Sequence, residues 1–498
     1  MFNYLVYWLT LLPTTLSRCN IRIEQMNFLP LKTLTDKQVQ SGLKFIVKEG
    51  AAAEVMSTLT GGTFLVAMAV MLKATNFQIG LLASLPTLTN VFQIIAIWLV
   101  KKYRNRRLIC VICSVLARVP LLVIGFLPFL FSSSTGLQAL FFLLFFSYFF
   151  GSISGASWNS WMKDLVPEKS LGTYFSRRSR LLQILNVSLS LLIAVIIDYI
   201  KKHYPEHELP AYIIMFLMGG LIGMLGVYLL SRVSEPVTTL EDKNIFSLLS
   251  KPLKDKNFKN LLAFNASYVF AINMALPFFV VYMMKTIGLP LAYIIVLGIL
   301  AKVSSILSIK LWGTYSDRYS NKTIIIICAP TFITCILAWT FTAVGSSQLI
   351  SIVLLAIIHI VSGASAAGID LSINNMAIKL APKSEAIAYI SARNMVVAVF
   401  ASLGPLSGGL VADFYSNHQL LWSVKWMGAG SSSSLNILSL NNSNFYFVTG
   451  AILAALSLNL LKYVKEEGEV NKKEAMIVIK KDFRDNLQKI WYEVADSV

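Results

Sequence analysis

The chain has 498 residues, of which 56% are hydrophobic and only 14% charged, with a formal net charge of +18 and a mean hydropathy of +0.66. A soluble domain of this size carries far more charge, so a soluble globular fold is excluded. The basic excess sits in short loops between apolar runs, where the cytoplasmic bias of Lys and Arg accounts for it. Nucleic-acid binding is set aside on that ground.

The apolar runs are continuous rather than alternating, which points to spanning helices and away from a membrane barrel. The first stretch, Met1–Ser17, is apolar but lacks a basic lead and is broken by Pro13. We read residues 1–43 as an interfacial segment with a polar lead-in; a signal-like segment or a mis-called start is the other reading. Twelve runs follow, each about long enough to cross a bilayer. They cover Ala51–Leu72, Ile79–Val100, Leu108–Phe131, Leu137–Met162, Leu181–Ile200 and Tyr212–Leu230, then Asn260–Met284, Leu291–Trp312, Thr323–Val344, Leu349–Ile378, Ala386–Asp413 and Phe445–Val464. The expected fold class is therefore an all-α membrane protein. Its two six-helix bundles, 44–230 and 260–464, are joined by a linker, 231–259, and followed by a tail, 465–498.

Loop charge sets the expected orientation. The loop after the second run carries Lys101, Lys102, Arg104, Arg106 and Arg107, and the loop after the fourth carries Lys163, Lys169, Arg177, Arg178 and Arg180. The alternate loops are poor in charge; Asp413–Asn444 holds only Lys425. Basic loops face the cytoplasm, and an even span count puts both ends there. In the linker, Ile245, Phe246, Leu248 and Leu249 suggest a short surface helix. In the tail, Ile479, Phe483, Leu487, Ile490 and Val494 share one helical face. The five cysteines, Cys19, Cys110, Cys113, Cys328 and Cys335, lack the context of a redox or metal motif and read as small packing residues.

The densest loop block, Trp158–Arg180, recurs half a chain later. With Pro167 set against Pro382, Tyr174 meets Tyr389, Ser176 meets Ser391 and Arg178 meets Arg393. At almost the same offset, Lys102-Tyr-Arg-Asn-Arg-Arg-Leu-Ile meets Arg318-Tyr-Ser-Asn-Lys-Thr-Ile-Ile. Two ordered matches in loops indicate parallel repeats about an axis along the membrane normal.

Six plus six spans with these loops resemble the major facilitator superfamily over about Lys44–Val464. The most specific match is Gly313-Thr-Tyr-Ser-Asp317-Arg318-Tyr-Ser-Asn-Lys322, similar to that family's loop signature. The first-half copy lacks both the glycine and the aspartate. The block from Ser160 resembles a loop of bacterial members of unassigned substrate. The resemblance implies halves that rock about a central cavity, with Asp317 and Arg318 in a cytoplasmic gate. Arg177, Arg178 and Arg393 are candidates for the same gate, the alternative being plain positive-inside charge.

Ionisable residues inside spans are costly and usually face a cavity or a partner. Glu54 is the expected proton or cation site, against a solvated position near Lys48 and Glu49. Arg118, deep in the third run, would bind an anionic substrate or pair with an acid. Asp370, after the small-residue stretch Gly363–Gly368, is its expected counterpart, against a packed, hydrogen-bonded acid. Lys302 is a ligand candidate; Lys310 snorkels. His359 would shuttle protons or hydrogen-bond a neighbouring helix. Trp158 and Trp161 read as interfacial belt residues. Gly404, Pro405, Gly408 and Gly409 give the eleventh run a close-packing or hinge segment.

The expected function is secondary active transport of a small organic solute across the inner membrane, coupled to protons, by a monomer needing no cofactor or metal. A sensor or scaffold of the same fold without net flux is the alternative. No phosphate loop or nucleophile–base set points to an enzyme.

Overall fold

The computed structural model describes residues 29–127, 133–167, 170–237, 251–342, 348–382, 386–428, 431–441 and 443–466. The N-terminal apolar segment, the linker helix around Ile245 and the tail helix from Ile479 lie outside them. Twelve helices are long and apolar enough to span a membrane, one for each expected run. They are α1 (Asp36–Met71), α2 (Asn76–Tyr103), α3 (Arg106–Ile124), α4 (Thr135–Leu165), α5 (Thr173–His203), α6 (Pro205–Ser231), α7 (Lys256–Lys285), α8 (Leu291–Tyr319), α9 (Asn321–Phe341), α10 (Leu349–Leu380), α11 (Tyr389–Phe414) and α12 (Asn444–Leu461). Four cysteines, Cys110, Cys113, Cys328 and Cys335, are buried and free.

Several helices depart from the expected bounds, the fifth starting at Thr173 rather than Leu181 and the eighth ending at Tyr319 rather than Trp312, and two differences are larger. The first helix starts at Asp36, well before Ala51. Thr35 accepts from the Gln38 N–H, and the Gln38 side chain accepts from the Thr35 N–H, the reciprocal cap that nucleates a helix start. Leu43 and Ile46 then pack against Trp161, Met162, Leu165, Leu230 and Val233. The second difference is the loop before α12. It folds into a hairpin of β1 (Gln419–Gly428) and β2 (Ser431–Asn441), antiparallel with a register shift at Trp422/Ser423. Alternation through Trp422-Ser-Val-Lys-Trp426 fits a strand, but a charge-poor loop drew no such reading.

The repeat is built into the helix ends. Glu235, just past α6, takes the N–H groups of Arg106 and Arg107 at 2.9 and 2.8 Å at the start of α3. Glu466, just past α12, takes those of Asn321 and Lys322 at 3.2 and 2.9 Å at the start of α9. A carboxylate satisfies donors that a helix start leaves free and complements its positive end. Tyr174 donates to the Leu43 carbonyl of α1 at 2.9 Å. Its repeat partner Tyr389 reaches Asp255, the cap of α7, at 3.4 Å.

A second symmetric pair joins the halves at the end away from the basic loops. Asp413, at the end of α11, accepts from Asn76 and Phe77 N–H at 3.1 and 2.9 Å, at the start of α2. Asp198, near the end of α5, accepts from Leu291 and Ala292 N–H at 2.9 and 2.8 Å, at the start of α8. Both relations follow the repeat: 198 and 413 differ by the same 215 positions as 76 and 291, and as Pro167 and Pro382. Each such contact contributes about 0.3–2 kcal/mol. Beside them α11 lies close to its neighbours. A methyl at Gly404 or Gly408 would strike the backbone of α7, and one at Gly409 the backbone of α2 at Asn76 and Phe77. Pro405 sits inside the helix, its carbonyl lying where a side chain at Gly80 of α2 would project.

Candidate functional site

The site follows from where α1, α3 and α5 place three charged groups. Starting α1 at Asp36 carries Glu49 inside the bundle, 6% exposed. Arg118, 6% exposed on α3, approaches Glu49 with Nη2 at 3.4 Å and donates from Nη1 to the Gly223 carbonyl of α6. Arg178, near the start of α5, reaches the other Glu49 oxygen at 3.8 Å. Its guanidinium lies over the Trp158 ring at 5.0 Å, a favourable cation–π geometry. Gly50 makes room for it, because a side chain there would run into the Arg178 guanidinium.

These groups line a cavity of about 580 Å³ contained within the first half. It runs from Trp158, Asn159 and Arg178, close to the basic-loop end, to Thr60, Gly61 and Pro86 at the middle of their spans. Two spans are interrupted there. In α1 the helix breaks at Gly61 and resumes with Gly62 at φ +54°, a left-handed conformation that favours glycine. In α2, Pro86 and a 3-10 turn at Asn90–Phe92 interrupt the ladder. Most lining hydroxyls are already committed. Ser114 and Ser154 bond each other at 2.7 Å, and Ser152 donates to the Thr89 carbonyl at 2.8 Å. Trp158 Nε1 and Arg178 Nε are different: both are buried and lack a hydrogen-bond partner.

Not every expected site residue arrives here. Arg118 lines the cavity, whereas Glu54 is half-buried and is not part of the lining, which holds Glu49 instead. Arg178, expected in the gate, lies in the cavity. Trp158 lines it too, while Trp161 is fully buried and donates to the Ser234 carbonyl at 3.3 Å, so neither belongs to an interfacial belt. In the second half Asp370 is exposed on α10, and Arg393 is near enough to act on it electrostatically. Arg393 donates to Asn374 at 2.7 Å. His359 Nδ1 bonds the Leu355 carbonyl of its own helix at 2.8 Å rather than a neighbouring helix, and its ring meets Trp339 edge-on at 5.6 Å. Lys302 is exposed, with no ion-pair partner among the described residues. Arg177, Asp317 and Arg318 are exposed as well. Arg318 lies over the Tyr319 ring at 5.2 Å, and neither it nor Asp317 is in an ion pair among the described residues.

Glu49 in the cavity and Asp198 and Asp413 between the halves are the candidate residues that sequence reasoning missed. The first was legible from the Thr35–Gln38 cap, which moves the helix start. The other two share the repeat offset already set by the prolines.

Residues 51–405 match the sequence pattern of the Major Facilitator Superfamily. Solved transporter structures share the fold, three of them as follows. The nucleoside transporter NupG aligns with a TM-score of 0.62 at 14% identity, covering 87% of this chain and 100% of that one. The xylose transporter XylE from E. coli, in an inward-open conformation, aligns with a TM-score of 0.59 at 12% identity, covering 88% and 99%. A D-xylose-proton symporter aligns with a TM-score of 0.56 at 14% identity, covering 87% and 100%. No curated protein matches the chain in sequence.

Proposed function

Because the chain belongs to the Major Facilitator Superfamily, we propose that it is a secondary active transporter carrying a small organic solute by alternating access, coupled to protons. One observation carries this reading. The halves are hydrogen-bonded to each other at the outer end through Asp198 and Asp413, while a charged cavity extends toward the opposite, basic-loop end, where Asp317 stands unpaired among the described residues. That is the arrangement of a carrier closed outside and accessible inside. The basic-loop side is then the cytoplasm, both termini lie there, and the chain sits in the inner membrane as a monomer. The likeness to a xylose-proton symporter supports coupling in outline.

Glu49 is the single acid of the cavity lining, so it takes the coupling role first expected of Glu54. A proton on Glu49 removes the charge that holds Arg118 and Arg178 together and frees both for solute. Purified protein in proteoliposomes tests this, with solute uptake measured with and without an imposed pH gradient. Glu49→Gln is expected to abolish gradient-driven uptake, and Glu54→Gln to leave it within about twofold of wild type, because Glu54 lies outside the cavity lining. The reverse pattern returns the role to Glu54. A ligand that stabilises the protein yet never crosses removes the transport reading.

A further inference from the structure

The cavity has an imbalance that its own residues do not resolve. Among the described residues its lining contains two arginines and one carboxylate, and no other charged side chain. A surplus charge held largely out of bulk water is costly unless something pairs with it. Glu49 is shared between both arginines, and its contact with Arg178 is 3.8 Å, longer than a hydrogen bond. The two buried polar atoms of the lining left without a partner, Trp158 Nε1 and Arg178 Nε, are both donors on neighbouring side chains, the guanidinium 5.0 Å from the indole ring. Neither atom can accept a hydrogen bond. A solute that pairs with both donors and with the surplus charge brings acceptor oxygens and negative charge.

We propose that the solute of this cavity is a small organic anion whose carboxylate or phosphate group is held by Arg178 and the Trp158 indole N–H. The proposal rests on the transport reading for what happens next, but binding itself does not. An acidic head at Arg178 neutralises the surplus charge and completes the hydrogen bonding of both donors. A planar guanidinium suits either anion, because its fork matches two oxygens. The rest of the solute extends toward Asn90 and Gln93 on α2, whose side chains bond each other at 3.1 Å and retain donors and acceptors for hydroxyl or amide groups. Met56, Pro86 and Leu121 give that end apolar walls. At about 580 Å³, the cavity suits a solute of small-metabolite size.

The test uses purified full-length protein in detergent and matched probes: gluconate against glucose, glycerol 3-phosphate against glycerol, and acetate and inorganic phosphate alone. Binding is read as thermal stabilisation over a concentration series. At least one acid is expected to stabilise the protein while its neutral partner does not; the carboxylate and phosphate arms say which head group is preferred. Arg178→Gln should weaken that binding about 10–100-fold, as for a lost charge-assisted hydrogen bond, and Trp158→Phe, which keeps the ring and removes the N–H, about tenfold. Trp158→Phe guards against the chance that Arg178→Gln fails to fold, which size-exclusion chromatography reports. Equal stabilisation by neutral partners, acid binding unchanged in both variants, or no probe that distinguishes wild type from the variants overturns the proposal. An acid that binds as expected but does not cross proteoliposomes leaves the binding site standing and removes transport instead. A neutral sugar that crosses while acids neither bind nor cross does the opposite.

Discussion

The two halves share a repeat arginine but not its partner. In the first half Arg178 reaches a buried acid on α1, and a second arginine, Arg118, holds the same carboxylate. In the second half the equivalent Arg393 turns to Asn374 and the exposed Asp370 on α10. The scaffolding behaves differently: Glu235 and Glu466 cap equivalent helices, and Asp198 and Asp413 cap equivalent helices across the seam. Backbone-satisfying carboxylates persist in both copies because either bundle needs its helix ends paired. The acid–arginine chemistry is free to differ, and it has concentrated in the first half.

The strongest way to break this comparison is to remove each acid in turn. Glu49→Ala removes the carboxylate shared by the buried Arg118 and the half-buried Arg178 and is expected to lower stability by about 3 kcal/mol, whereas Asp370→Ala, at an exposed acid, costs about 1 kcal/mol or less. Thermal unfolding of the purified variants measures both; similar losses would mean that the halves are chemically alike. Next come the intra-bundle caps. Glu235 also binds Arg106 Nε at 2.9 Å, and that arginine is fully buried, whereas the partner of Glu466, Lys379, is half exposed. Glu235→Gln should therefore cost about 3 kcal/mol and Glu466→Gln about 1–2 kcal/mol, and a reversed order in the same assay contradicts the burial argument.

The seam predicts equality instead. Asp198→Asn and Asp413→Asn should each weaken the outer closure by about 1 kcal/mol, a roughly fivefold change in the closed-to-open ratio. Pulsed-dipolar distances between spin labels at the outer ends of α2 and α8 read that ratio, and a large inequality between the two variants breaks the symmetry. The smallest effect is expected at Asp317. With no ion pair at this aspartate among the described residues, Asp317→Asn should change stability by less than about 0.5 kcal/mol. A larger drop in unfolding temperature would reveal a partner that the gate already uses in this conformation.

The apolar runs and the two prolines made twelve spans and the repeat legible, because hydropathy and loop punctuation are local properties. The chemistry was less so. Glu54 looked deeper than Glu49 because the first helix was read from its apolar stretch, although Thr35 and Gln38 begin it earlier and Leu43 and Ile46 bury its polar turns. Arg178 looked like loop charge because nothing near it in sequence shows that Gly50 opens a place for it against α1. Trp158 and Trp161 looked like membrane-interface aromatics, since position along a span does not say which face a side chain takes. Asp198 and Asp413 act on helices 93 and 337 positions away, distances over which a single sequence is silent unless its own repeat is used as a ruler.

The outer seam has a further meaning. Each half carries one carboxylate plug, Asp198 or Asp413, and one helix-end socket, at Asn76 or Leu291, and each plug enters the other half's socket. This is the reciprocity of an isologous interface, in which one patch meets its own equivalent across a two-fold axis. A homodimer of either bundle would carry two copies of its own acid and two of its own socket, an equivalent set of two acids and four N–H groups. The single chain thus retains the assembly logic of a dimer whose subunits have been fused, and the asymmetry needed to hold one solute lies away from that interface, around Glu49.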